Sequence, residues 1–232
     1  MRKVIPDVYL IEGLRGGNVY ALTGGENLTL IDGGLAGDDA RIAAQLEEAG
    51  HHLSAAHTLV LTHAHGDHVG GAVALARRSG AQIVAHRDEV PYLERRRPLP
   101  AGGWVQRLFT WLSDHLLFRL PPCQVDRAVQ EGDTIAALGG LRVIHTPGHT
   151  PGSMSLYQPE RQILFCGDAL FNEHPVTGRP GPMLPVRLFT GDNARARESV
   201  AKLSELEIEM LCSGHGAPIT AGTGAQIQAL LD

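Results

Sequence analysis

Residues 61–71 read LTHAHGDHVGG, and no other stretch of the chain restricts its fold as much. An apolar run, Leu59–Thr62, stops where three histidines and an aspartate begin, and two glycines follow. In an extended segment side chains alternate, so His63 and His65 project to one side. Asp67 and His68 then fall at the entry to a helix, where backbone N–H groups and the helix dipole favour anions. Gly66 permits the tight path between the two pairs. Four N/O donors therefore converge at the end of a buried strand.

Three further residues occupy the same kind of position. His149 sits in Thr146-Pro147-Gly148-His149-Thr150-Pro151-Gly152, Asp168 follows Phe165-Cys166-Gly167, and His215 lies in Ser213-Gly214-His215-Gly216. A lone histidine at a strand end is ordinarily a hydrogen-bonded residue. Five histidines and two carboxylates at strand ends are instead enough for two divalent metal ions with open positions. Histidine with carboxylate and no cysteine suits zinc, with iron and manganese as alternatives.

The rest of the pattern is that of an α/β chain. Strand-like runs at Val8–Ile11, Asn18–Leu22 and Leu28–Ile31 are separated by glycine pairs and predict an antiparallel meander. Helices are expected from Asp38 to Ala49 and from Val69 to Arg78, with strands at Leu59–Thr62 and Gln82–Ala85. Strands resume at Leu141–His145, Ser153–Tyr157, Ile163–Cys166 and Ile208–Leu211. Residues 172–191 read as a proline- and glycine-rich loop without periodicity, and Asp192 or Asn193 caps a following helix. Residues 91–127 break the rhythm: Trp104, Leu108, Trp111 and Leu112 recur at helical spacing between prolines, which predicts a helical insertion. No linker divides the chain, so 1–232 is read as a single domain.

Composition narrows the partners. With 20 basic and 25 acidic residues the net charge is −5, which gives no general attraction to nucleic acid. Cys123, Cys166 and Cys212 are odd in number and lack CxxC spacing, which fits a reducing compartment. The amino-terminal MRKVIPDVYL meets Pro6 and Asp7 before any long apolar stretch, unlike a signal peptide. No apolar run approaches the roughly 20 residues that span a bilayer. The expectation is a cytoplasmic protein with a small-molecule substrate and neither nucleic acid nor membrane as partner.

HAHGDH at 63–68, with His149, Asp168 and His215 downstream and the Leu30-Ile31-Asp32-Gly33-Gly34 turn upstream, resembles the metallo-β-lactamase superfamily. The resemblance implies a four-layer αββα sandwich with two metals at one edge of the sheets. It implies that His63, His65 and His149 hold one metal, that Asp67, His68 and His215 hold the other, and that Asp168 bridges. Asp32 would orient a ligand imidazole through its second ring nitrogen. Asp67 and Asp168 are the expected catalytic carboxylates. A metal pair lowers the pKa of a shared water toward neutrality, and the hydroxide attacks a carbonyl carbon without a serine or cysteine nucleophile. Hydrolysis of an ester, thioester or lactone is the implied reaction.

Within that superfamily the chain resembles glyoxalase II at Thr146–Thr150 and at Gly167–Phe171. Asn172-Glu173-His174-Pro175 stands where that branch carries a GCGR-like stretch, and with 17 residues after His215 the helical glutathione-binding domain of that branch is not expected. Lactonases place a tyrosine three residues after the bridging aspartate; this chain has Phe171. Phe171, His174, Trp104 and Trp111 are candidate substrate contacts. The insertion could receive an apolar acyl group, pack on the domain, or join a second copy in a homo-oligomer. Two readings compete with hydrolysis. One is a mononuclear iron dioxygenase acting on persulfides, which shares much of the ligand pattern. The other is a non-catalytic metal-binding protein.

Overall fold

A computed structural model describes residues 1–25, 27–100, 108 and 121–232. Seven strands form the first sheet in chain order: β1 (Arg2–Ile5), β2 (Val8–Leu10), β3 (Tyr20–Leu22), β4 (Leu28–Ile31), β5 (Ala56–Leu61), β6 (Gln82–His86) and β7 (Arg127–Val129). The pairs from β1 to β4 are antiparallel and those from β4 to β7 parallel. Parallel neighbours need crossovers. They are supplied by α1 (Asp39–Glu48), by α2 (Gly66–Val69) with α3 (Ala72–Ser79), and by a segment that opens with α4 (Val90–Leu93).

The second sheet holds β8 (Thr134–Ile135), β9 (Leu141–His145), β10 (Met154–Gln158), β11 (Ile163–Gly167) and β14 (Met210–Ser213), in the order β14-β11-β10-β9-β8. β14 lies parallel to β11 after the crossover helix α5 (Asn193–Ser204). β12 (Phe171–Glu173) and β13 (Pro180–Met183) pair as a separate hairpin, and α6 (Thr223–Gln228) follows β14.

The period-two alternation of each strand sorts its side chains into layers. Leu28, Leu30, Leu59, Leu61 and Ile83 pack outward against Ile42 and Leu46 of α1 and Leu75 of α3. The alternate residues Ile31, Val60 and Val84 face inward, against Val143, Leu156, Phe165 and Cys212 of the second sheet. Leu164, Tyr157 and Leu211 face the other way, onto Val200 and Leu203 of α5 and Ile227 of α6. The result is an αββα stack, the expected architecture. Each fully buried leucine or isoleucine contributes about 1.5–3 kcal/mol relative to exposure, so the two outer helix layers are held by apolar burial.

Several local expectations shift. The helix expected at Val69–Arg78 is two helices, separated at Gly70-Gly71, where Gly33 N–H donates to His68 O and Gly71 N–H to Gly34 O. These bonds tie the histidine helix to the LIDGG turn. Residues 172–191 contain the β12–β13 hairpin and a 3-10 turn at Arg187–Phe189, structure that Pro180 and Gly181 hide from any periodicity test. Asp192 is the N-cap of α5, accepting the amides of Ala194 and Arg195 at 3.0 Å. Of the expected insertion, α4 and the flanking chain are described and Arg127 already belongs to β7, whereas Trp104 and Trp111 lie outside the described residues. Among the described residues no helix is long and apolar enough to cross a membrane.

Candidate metal centre

Parallel strands end at one edge. β4 leads into Asp32, β5 into Thr62-His63-Ala64-His65, β11 into Asp168 and β14 into Gly214-His215. The two sheets are joined at this edge by residues that belong to no motif. Asn18 donates its amide to Gly214 O and its side chain to Ser213 O and Gly216 O, and the Tyr20 hydroxyl donates to Ser213 O. Sequence reasoning missed Asn18 and Tyr20, because only the cross-sheet contact gives them meaning.

All seven candidate ligands come together. His63, His65, His149 and Asp168 form one group and Asp67, His68 and His215 another, with one donor atom from each residue within 4.8 Å of the rest of its group. Asp168 reaches across: Oδ1 is 3.3 Å from His68 Nε2, and Oδ2 is 3.3 Å from His149 Nε2 and 3.5 Å from His215 Nε2. His215 Nε2 is also 3.3 Å from Asp67 Oδ2. Metal–ligand bonds of roughly 2.0–2.1 Å in a tetrahedron put donor atoms about 3.4 Å apart, so this spacing suits a bound ion. His63 Nε2 and Asp168 Oδ1 are buried without a hydrogen-bond partner among the described residues. Such atoms are costly to bury unless something else satisfies them, and a bound metal ion would do so.

The far side of three of the imidazoles is held. His68 Nδ1 is 2.8 Å from Asp32 Oδ2, and His63 Nδ1 is 3.0 Å from the Thr62 hydroxyl. That hydroxyl donates to Asp32 Oδ2, so it accepts from His63 and leaves Nε2 as a lone pair. His149 Nδ1 lies 3.3 Å from the hydroxyl of Thr190, which donates to Val186 O. Thr190 therefore fixes His149 with Nε2 facing the cluster. Thr62 and Thr190 are functional residues that sequence reasoning passed over. Thr62 had a usable signal, since it directly precedes the motif; Thr190 had none.

Electrostatics divides the cluster. Burial, with His68 nearby, holds His63 well below the usual histidine range, and burial beside His149 lowers His65 to about 3. Burial also opposes charge on His68 and His215, but the surrounding carboxylates outweigh it, raising His68 well and His215 to about 9. Asp168 is held well below the carboxylate range by His215 and His68 in spite of burial, and Asp67 lies near 2 for the same kind of reason. These shifts favour ionised carboxylates and positive charge on His68 and His215. A bound divalent ion would supply that positive charge instead.

Phe171 is buried with its ring 6.0 Å from that of His149 and 5.2 Å from that of His215. It forms an apolar wall without a hydroxyl. His174 Nδ1 accepts the amides of Val176 and Thr177 in its own loop. A third group, His86, Asp88 and His145, stands apart. Its two rings stack at 4.0 Å and 11°, His86 Nδ1 accepts the Asp88 amide and His145 Nε2 lies 3.0 Å from Pro151 O, so these nitrogens are already engaged and we assign no metal there.

Gly214 gives a direct test of this packing. A Cβ at this position would overlap Asp168 Oδ1 and come within 2.8 Å of His68 Cε1. Gly214→Ala is therefore expected to displace Asp168 and weaken metal binding by about 10–100-fold, on the scale of a disturbed ligand support. Metal content after dialysis against a weak chelator measures it; full retention would contradict the geometry.

These features define a class: a two-sheet α/β sandwich that carries a histidine–carboxylate metal cluster at one sheet edge. Residues 13–215 match the family described as the Metallo-beta-lactamase superfamily, and the chain belongs to it. It is 31% identical over 215 residues to "Probable metallo-hydrolase YflN" of Bacillus subtilis (strain 168), covering 84% of this chain and 77% of that one. It is 33% identical over 176 residues to a hydroxyacylglutathione hydrolase of Cereibacter sphaeroides (strain ATCC 17023), covering 75% of this chain but 52% of the relative. The chain thus spans about half of that enzyme. A solved metallo-beta-lactamase family protein from Thermus thermophilus shares the fold, with a TM-score of 0.74 and 23% identity over 99% of this chain and 79% of that one.

Proposed function

We propose that this protein is a metal-dependent hydrolase that binds two divalent ions, zinc by preference, and cleaves an ester, thioester or lactone of a small molecule. The observation that carries the reading is Asp168, whose two oxygens lie within 3.3 Å of a histidine in each group. His63, His65 and His149 would hold one ion, Asp67, His68 and His215 the other, with Asp168 between them. Ions bound there would acidify a shared water and polarise the scissile carbonyl.

The chain's own residues shape the rest. Asp168 is ionised and fixed between the histidines, where it keeps the two positions in register. Asp67, the more exposed of the two carboxylates at 28% for its side chain, faces the solvent side and can accept a hydrogen bond from the attacking water. Phe171 excludes water from one wall and offers apolar contact to an acyl group. Having no hydroxyl, it leaves no phenolic proton for the leaving group. The similarity to a hydroxyacylglutathione hydrolase favours a thioester among the three substrate classes. Cys123, Cys166 and Cys212 are buried and unpaired, which supports a cytoplasmic setting.

Elemental analysis of untagged protein, followed by assay of thioesters, lactones and aryl esters, tests the reading. We expect two equivalents of zinc or manganese and hydrolysis of at least one class. Chelation should abolish turnover, and the same metal should restore it. One equivalent of iron with oxygen uptake on a persulfide would replace this reading with a dioxygenase. Stoichiometric metal with no turnover on any class would favour a non-catalytic metal protein.

A further inference from the structure

Glu89 is fully buried and is not a ligand in either group. It follows β6 and stands at the N-cap of α4. Its Oε1 accepts the amide of Ala64 at 2.7 Å, and its Oε2 accepts the amide of Gly152, also at 2.7 Å. Ala64 lies between His63 and His65; Gly152 closes the turn that carries His149. One carboxylate thus spans two loops that are distant in sequence and together bear three of the seven candidate ligands.

The backbone is fitted to the same purpose. At Gly152 a Cβ would overlap Glu89 N and lie 2.7 Å from Asp88 C, so only glycine lets the His149 turn approach this closely. Among the described residues Glu89 makes no ion pair. Burying a carboxyl with no cation beside it is expensive, and here the two amides it accepts offset that cost. Burial pushes its pKa up to about 7, against the opposing pull of Thr150 and the Ala64 and Gly152 amides. The ionised form is the one that matches the contacts, because both oxygens act as acceptors.

The other group is anchored elsewhere. His68 O accepts the Gly33 amide, and the His215 turn is held by Asn18 through Gly214, Ser213 and Gly216. Among the described residues the Glu89 side chain hydrogen-bonds to none of these.

We propose that Glu89 is a positioning residue for the metal held by His63, His65 and His149: it pins the two loops that carry those ligands at the separation the ion needs. This rests on the metal-binding reading above. Glu89→Gln is nearly isosteric but replaces one acceptor oxygen with an N–H donor, which faces a backbone amide and releases one loop.

The test reads zinc affinity by competition with a chromogenic chelator, in two backgrounds. His215→Ala leaves the His63/His65/His149 position to be measured, and His149→Ala leaves the Asp67/His68/His215 position. Glu89→Gln should weaken zinc at the first position by about 10–100-fold, the usual effect of losing a residue that orients ligands, and change the second less than about threefold. Glu89→Asp keeps both acceptors on a shorter stem and should give a smaller loss at the first position only. Unchanged affinity at the first position, or equal losses at both, would overturn the proposal. Failure of both metal-free Glu89 variants to fold would also overturn it, since Glu89 would then be a general determinant of the fold. Were the parent to bind a single metal, the two-metal reading would fail while the Glu89 effect on the remaining position is still read.

Discussion

Asp168→Ala should abolish hydrolysis, lowering kcat/KM by about a thousandfold or more, a loss at the upper end of removing one preorganised electrostatic group. The side chain is 5% exposed and within 3.3–3.7 Å of four histidine nitrogens drawn from both ligand groups. Alanine leaves the two ligand groups without their common carboxylate. The measurement is steady-state turnover on whichever substrate class the parent hydrolyses, with metal content determined on the same sample. Two outcomes are informative in different ways. Loss of one metal together with activity means that Asp168 holds the pair together. Loss of activity with both metals retained means that it acts on the water. Near-parent turnover in a fully metallated variant would remove Asp168 from the mechanism.

The candidate ligands were legible because metal chemistry limits both residue type and position. Histidine and aspartate at strand ends beside glycine have few other reasons to recur, and His63, His65, Asp67, His68, His149, Asp168 and His215 all meet at one edge. The layers were legible for a similar reason: the alternation of Leu59, Val60 and Leu61 between outer and inner cores is a local property of a buried strand. What escaped was set by tertiary contact alone. Glu89 looks like one more acidic residue at the start of a charged stretch, and only the approach of the Ala64 and Gly152 amides gives it a role. Thr190 and Asn18 are polar residues in loops, whose partners lie 41 and 195 positions away. The β12–β13 hairpin escaped because two of its four β13 residues are proline and one is glycine, residues that read as loop in any propensity argument.

Asp32 carries the second large effect, this time on the fold as well as the site. It is 2% exposed and lies at φ 62°, a left-handed conformation that aspartate and asparagine tolerate better than other side chains. Its Oδ1 accepts the Thr62 amide at 2.8 Å, while Oδ2 accepts the Thr62 hydroxyl and the His68 Nδ1–H, each at 2.8 Å. Three donors from the segment that carries candidate ligands thus rest on one carboxylate. Asp32→Asn keeps the shape and the backbone preference but turns an N–H toward those donors. One or more of them is left buried and unsatisfied, at a cost of about 1–3 kcal/mol. Asp32→Ala strands all three and should cost about 3–5 kcal/mol, the range for removing one partner of a buried charged pair. Because Asp32 also sets the tautomers of His68 and, through Thr62, of His63, metal affinity should fall at both positions, unlike the one-sided loss expected for Glu89. Denaturant unfolding of the metal-free protein separates the two effects: its midpoint reports the fold alone, and chelator competition reports the sites. A metal-free Asp32→Ala protein with the parent's midpoint would mean that these donors find other partners, and that Asp32 supports the metals without supporting the fold.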